Sequence, residues 1–228
     1  MDIVLIGGLW VDASCWDAVA KELVRDGHRP VALTLPGQGD GRTTATLDDQ
    51  LVAVLDAVDD SPDRCVVVGH SAAATLAYLA ADRRPDKVTK VVLIGGFPSA
   101  EGAPYFSFIE PKDGVITFPG WEAFEGPDSA DLTPELKVHI AANAIDVPAG
   151  VALGRVHYEH EARHATTPVV LVCPEFSPEN ALSWIEAGQV PELEHTDDLE
   201  LVDIDSGHWP MFTAPVVLAG LIAGAAEA

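Results

Sequence analysis

A run of apolar, mostly β-branched residues, Cys65-Val66-Val67-Val68, stops at Gly69-His70-Ser71-Ala72-Ala73, and a helix-forming run from Ala74 to Arg84 follows at once. A serine on a sharp strand-to-helix turn has its hydroxyl exposed, as a nucleophile requires. Small residues two before and two after it, Gly69 and Ala73, let the flanking backbones approach. The first amides of the helix, beginning with Ala72 N–H, lack an intrahelical acceptor and can bind an oxyanion. An ordinary serine N-cap is the alternative, and the strand before and helix after Ser71 favour the nucleophile.

A second group of residues bears on the first. Ser206-Gly207-His208-Trp209-Pro210 follows the last β-rich run and precedes the last helical one. In a parallel sheet this places His208 on the same edge as Ser71, and an imidazole titrating near about 6.5 suits a general base for a hydroxyl. Gly7-Gly8-Leu9-Trp10 follows the first strand, where glycines permit close backbone approach and Leu9 N–H can act as a second oxyanion donor. Trp10, Phe97 and Trp209 are candidates for a substrate pocket, each with simple partial burial as its alternative.

The elements that must position these residues are legible as alternation. Strands are predicted at 2–6, 30–35, 64–69, 90–95, 168–173 and 199–204, most as near-continuous Val/Leu/Ile runs typical of a sheet covered on both faces. Helices are predicted at about 16–26, 47–58, 72–84, 179–188 and 214–226. This rhythm predicts an α/β, doubly wound, mainly parallel six-stranded sheet. It breaks over 97–167, which is rich in Pro and Gly and shows no clear strand, with helices expected at 133–145 and 149–164. So long a segment inside one domain predicts a small helical cap inserted in a single 1–228 unit.

The order of glycine turn, LPGQGDG loop at 35–41, GHSAA elbow, cap and late GHWP resembles the α/β-hydrolase family across nearly the whole chain. The Gly-Gly turn followed by Trp16, and the DGHRPV run at 26–31, are most similar to its small esterase and hydroxynitrile-lyase branch. The resemblance implies that the family's first two strands are missing and that the remaining six are ordered 2-1-3-4-5-6. The glycine turn and the elbow then meet where the strand order reverses, which is where open α/β sheets bind ligands. It also implies a triad acid just beyond the strand that follows the cap, but Phe176 and Ser177 occupy those positions. Glu175 is the first candidate for that acid, with Glu179, Glu101 or no acid as the others.

Other features exclude functions. His160-Glu161-Ala162-Arg163-His164 is a literal HExxH with His157 a turn earlier, but Thr167 and Val170 stand where the extended HExxHxxGxxH motif has its glycine and its third ligand, so no metal is expected. The Pro36–Gly41 loop has no GK[ST] and is not a phosphate loop. A formal charge of −23, from 36 acids against 13 Lys and Arg, excludes a nucleic-acid partner. No apolar run reaches the roughly 18 residues of a membrane span, and the opening MDIVLIGGLW lacks a basic leader. Three scattered cysteines suit free thiols, so a cytoplasmic location is expected. The expectation is a cofactor-free serine hydrolase of a small-molecule ester, lactone or related acyl compound, acting through an acyl-serine, and a homodimer is left open. A hydroxynitrile-type lyase is the rival enzyme. The resemblance gives it a Thr in the first turn and a Lys after the histidine, where this chain has Gly8 and Trp209. A non-catalytic ligand-binding member of the fold is the other rival.

Overall fold

Six strands, β1 (Asp2–Ile6), β2 (Arg29–Leu33), β3 (Cys65–His70), β4 (Val88–Ile94), β7 (Val169–Cys173) and β8 (Leu199–Asp203), form one sheet in the computed structural model. The structure describes residues 1–159 and 166–227. The sheet order is β2-β1-β3-β4-β7-β8 and every pairing is parallel, so the expected order and its reversal between β1 and β3 are both present. β1, β3 and β7 are buried along their whole length, which explains why they read as unbroken apolar runs.

Alternation along each strand supplies two cores. Val4, Ile6 and Val67 face α2 (Leu47–Asp59), α3 (Ala74–Arg83) and α6 (Pro178–Glu186). Ile3, Leu5, Val66 and Val68 face α1 (Asp17–Arg25) and α8 (Pro215–Glu227). Full burial of each such side chain stabilises by about 1.5–3 kcal/mol, and a one-residue slip would turn the whole set over, so the register is firmly specified. Helix starts are fixed by side chains. The Thr46 hydroxyl accepts from Asp49 N–H at 3.2 Å, and the Asp49 carboxylate accepts from Thr46 N–H at 2.9 Å, a reciprocal cap worth about 1 kcal/mol.

The segment between β4 and β7 covers the carboxyl ends of the strands. It contains a 3-10 turn at Trp121–Phe124, α4 (Pro134–Ala142) and α5 (Ala149–Ala152). It also contains an antiparallel pair, β5 (Val115–Ile116) with β6 (Val147–Pro148), in a stretch expected to hold no strand. Of the helix expected over 149–164, residues 160–164 lie outside the described residues, and 149–159 hold a single turn, α5. Beyond it the backbone pairs with 102–105 instead: Tyr105 N–H donates to Gly154 O at 2.9 Å and Val156 N–H to Ala103 O at 2.9 Å. Tertiary pairing here overrides local helical preference. The helix expected at 214–226 is present as α8, and a one-turn helix not expected from the sequence, α7 (Pro210–Thr213), precedes it, with Pro215 opening α8.

Candidate active site

Ser71 stands at the end of β3 with φ at 56°, in the left-handed region. That conformation costs a non-glycine residue about 1–3 kcal/mol and persists only where the surroundings enforce it. Two glycines make room for it. A Cβ on Gly69 would lie 2.2 Å from Ala73 O, and a Cβ on Gly96, beyond β4, would lie 2.2 Å from Ser71 O. The turn therefore depends on Gly-Gly at 95–96 as well as on its own motif. That pair, ending a strand on the same edge as Gly7-Gly8, was a signal in the sequence that motif matching missed.

His208 is held so that both ring nitrogens are engaged. Its Nε2 is 2.9 Å from Ser71 Oγ, and its Nδ1 is 2.6 Å from Glu175 Oε1. A carboxylate can only accept, so Nδ1 carries the proton and Nε2 is left to accept from the serine hydroxyl. The side chains of His208 and Glu175 are only 14% and 13% exposed, which shields their bond from water. Three residues distant in sequence are thereby brought into one hydrogen-bonded chain.

Of the candidate acids, the structure brings only Glu175 to the histidine. Glu179 is exposed in the first turn of α6. Glu101 accepts from His157 Nδ1 at 2.9 Å and from Tyr158 N–H at 2.8 Å, which also accounts for His157. Phe176, where the family resemblance implied an aspartate, stacks on Phe97 with ring centroids 5.4 Å apart and lies 5.3 Å from the Trp184 ring. The remaining HExxH residues, His160 to His164, lie outside the described residues.

His70 escaped the sequence reading. It is buried, its ring centroid is 4.9 Å from that of His208, and its Nε2–H donates to the His208 carbonyl at 2.7 Å. Burial, reinforced by the neighbouring His208, pushes its pKa down to about 3 against the opposing pull of that hydrogen bond. His70 is therefore neutral. Across the loop, His208 N–H donates to Asp128 O at 2.8 Å. The Asp128 carboxyl is held above the usual carboxylate range by burial and then by Glu175, with His208 opposing.

Ser71 and His208 open into a cavity of ≈ 700 Å³ beneath the cap. Trp10, Phe97 and Trp209 line it, together with Tyr105, Phe106 and Phe124, and Leu9 and Ala72 are part of the same wall. Trp10, itself at φ 65°, is anchored by its Nε1–H to Ile116 O at 3.2 Å. Among the described residues no Asp, Glu, Lys or Arg lines this space. A hydroxyl paired to an imidazole and thence to a carboxylate can lose its proton as it attacks an acyl carbon.

Comparison with known proteins agrees with this architecture. The family model described as "Alpha/beta hydrolase family" matches residues 3–221. Methylesterase 7 of Arabidopsis thaliana is 26% identical, over 96% of this chain and 94% of its own length. Strigolactone esterase RMS3 of Pisum sativum is 33% identical, over 53% of this chain and 49% of its own length. Among solved structures, the methylesterase MES16 from Arabidopsis superposes with a TM-score of 0.75 at 17% identity, covering 100% of this chain and 99% of that one. An extracellular α/β-hydrolase from a Paenibacillus species gives a TM-score of 0.78 at 17% identity, covering 99% and 98%. Since the family model spans nearly the whole chain, from the first strand to the last helix, this protein belongs to the α/β hydrolase family.

Proposed function

We propose that the protein hydrolyses uncharged carboxylic esters through an acyl-serine intermediate. The observation that carries this is the chain Ser71 Oγ–His208 Nε2 at 2.9 Å and His208 Nδ1–Glu175 Oε1 at 2.6 Å, opening into the apolar cavity. His208 takes the Ser71 proton, the oxygen attacks the ester carbonyl, and Glu175 stabilises the imidazolium that results. The imidazolium then gives its proton to the departing alkoxide, and a water activated by the same ring releases the acid. Leu9 and Ala72 N–H groups hold the oxyanion, a role typically worth about 3 kcal/mol per donor. The esterase names of the relatives support ester hydrolysis in general, and the lack of Asp, Glu, Lys and Arg among the described residues lining the cavity supports a neutral, apolar substrate. No cofactor enters this sequence of steps.

Turnover of short-chain p-nitrophenyl esters, with phosphonofluoridate labelling and peptide mapping, tests the proposal. Adduct is expected on Ser71 alone, and Ser71→Ala should lower kcat by up to about 10⁶-fold. Adduct elsewhere, or an active Ser71→Ala variant, would overturn it.

A further inference from the structure

The loop that carries His208 is gripped from the cap as well as from the sheet. Asp131 lies between the Trp121–Phe124 turn and α4, and its Oδ2 accepts from Gly207 N–H at 2.8 Å and from the Ser206 hydroxyl at 3.1 Å. Three residues earlier, Asp128 O accepts from His208 N–H at 2.8 Å. The approach is so close that a Cβ on Gly207 would lie 2.4 Å from Asp131 Oδ1 and 2.5 Å from Asp128 O. The same stretch of cap brings Trp121 and Phe124 to within 5.3 and 5.1 Å of Trp209, measured between ring centroids. Phe124 and Trp209 both line the cavity, so one segment touches the substrate space and the base's backbone together.

We infer that Asp131 is a positioning residue, making the alignment of His208 depend on the seating of the cap. The inference rests on the reading of His208 as the base. A carboxylate is a stronger acceptor for a backbone N–H than a neutral group, so Asp131 holds the Ser206–Gly207 peptide, one peptide unit before the Gly207–His208 bond, more firmly than a loop contact alone would. From below, His70 fixes the carbonyl of the same residue. Two holds from opposite sides leave the ring little freedom to rotate away from Ser71 and Glu175. Losing the upper one relaxes the loop, and misplacement by about 1 Å can cost a reaction up to about 100-fold.

Asp131 is exposed, so its substitution should leave folding intact, which melting and circular dichroism check directly. The full chain is compared as wild type, Asp131→Ala, Asp131→Asn and Glu125→Ala, the last removing an exposed charge from the same stretch of cap. Kinetics with a short-chain p-nitrophenyl ester are paired with proton NMR of the His208 Nδ1–H donated to Glu175. Asp131→Ala should lower kcat about tenfold or more, hold KM within about twofold, and shift or broaden that downfield proton. Asp131→Asn, whose amide oxygen can accept the same N–H, should recover most of the rate, and Glu125→Ala should match wild type. An unchanged kcat and an unmoved proton in Asp131→Ala overturn the inference. So does a raised KM at constant kcat, which would make Asp131 a support of the pocket. Wild-type protein that neither turns over the ester nor labels on Ser71 fails at the earlier step and overturns the esterase proposal itself.

Discussion

Glu175 reaches His208 from one or two positions before the place, Phe176 or Ser177, at which the family resemblance implied an aspartate. The displacement has a physical counterpart in Phe176, whose ring stacks on Phe97 beside the cavity, while the extra methylene of glutamate makes up the reach. Glu175→Gln keeps the shape and removes the charge, so kcat should fall by about 10³- to 10⁴-fold with the far-UV spectrum unchanged. Glu179→Gln and Glu101→Gln should each cost less than about tenfold. Loss confined to Glu101→Gln would move the acid to the other side of the cap. His70 makes a separate prediction. Its pKa of about 3 in the folded protein lies below the ordinary value, so the unfolded chain binds more protons in the window between. Its contribution to stability is therefore complete above about pH 6.5 and lost progressively as pH falls toward 3. His70→Gln, which retains a donor for the His208 carbonyl, should show a flatter fall in Tm over that acid range. Identical Tm profiles for the two proteins would assign the acid sensitivity to other groups.

At the level of elements, the site exists because strand ends meet. β1, β3 and β4 lie side by side, and each ends in a turn that approaches Ser71. Gly96→Ala would drive a methyl group into Ser71 O, so activity should fall by more than about 100-fold and Tm should drop. Gly224, inside α8 with nothing near its Cβ position, supplies the contrast. Gly224→Ala should leave kcat unchanged and raise stability by about 0.5–1 kcal/mol. Equal tolerance of both substitutions in a melting and kinetic comparison would show that the elbow does not need the close approach. The central strands were legible as unbroken apolar runs because both their faces are buried, and the main helices from periodicity because each buries one face. The cap was less legible because its backbone is satisfied by distant partners, as Gly154 and Val156 are by 102–105.

Over the whole molecule, a net charge of −23 surrounds a cavity lined by no charged side chain among the described residues. A field of one sign raises the barrier to approach of a like-charged ligand and is screened within about 8–10 Å at physiological salt. An ester bearing a remote carboxylate should therefore show a lower kcat/KM than its neutral isostere. Added salt should narrow the gap by raising only the anionic value. Equal constants at low ionic strength would show that surface charge does not reach the cavity mouth. Among the described residues no helix is long and apolar enough to cross a membrane.

The sequence by itself determined the strand order's raw material, the elbow and the placement of Ser71 and His208 on one sheet edge. Those features are local: a strand, a turn and a helix are written in consecutive residues, and parallel topology puts every following loop on the same side. Only the tertiary structure decided which carboxylate meets His208, since Glu175, Glu179 and Glu101 differ in where the chain carries them rather than in chemistry. It alone placed His70 beneath the histidine and Asp128 and Asp131 above it, through contacts between residues 75 to 138 positions apart in the sequence. Such contacts leave no periodic trace, because each depends on the packing of a whole element rather than on its neighbours along the chain.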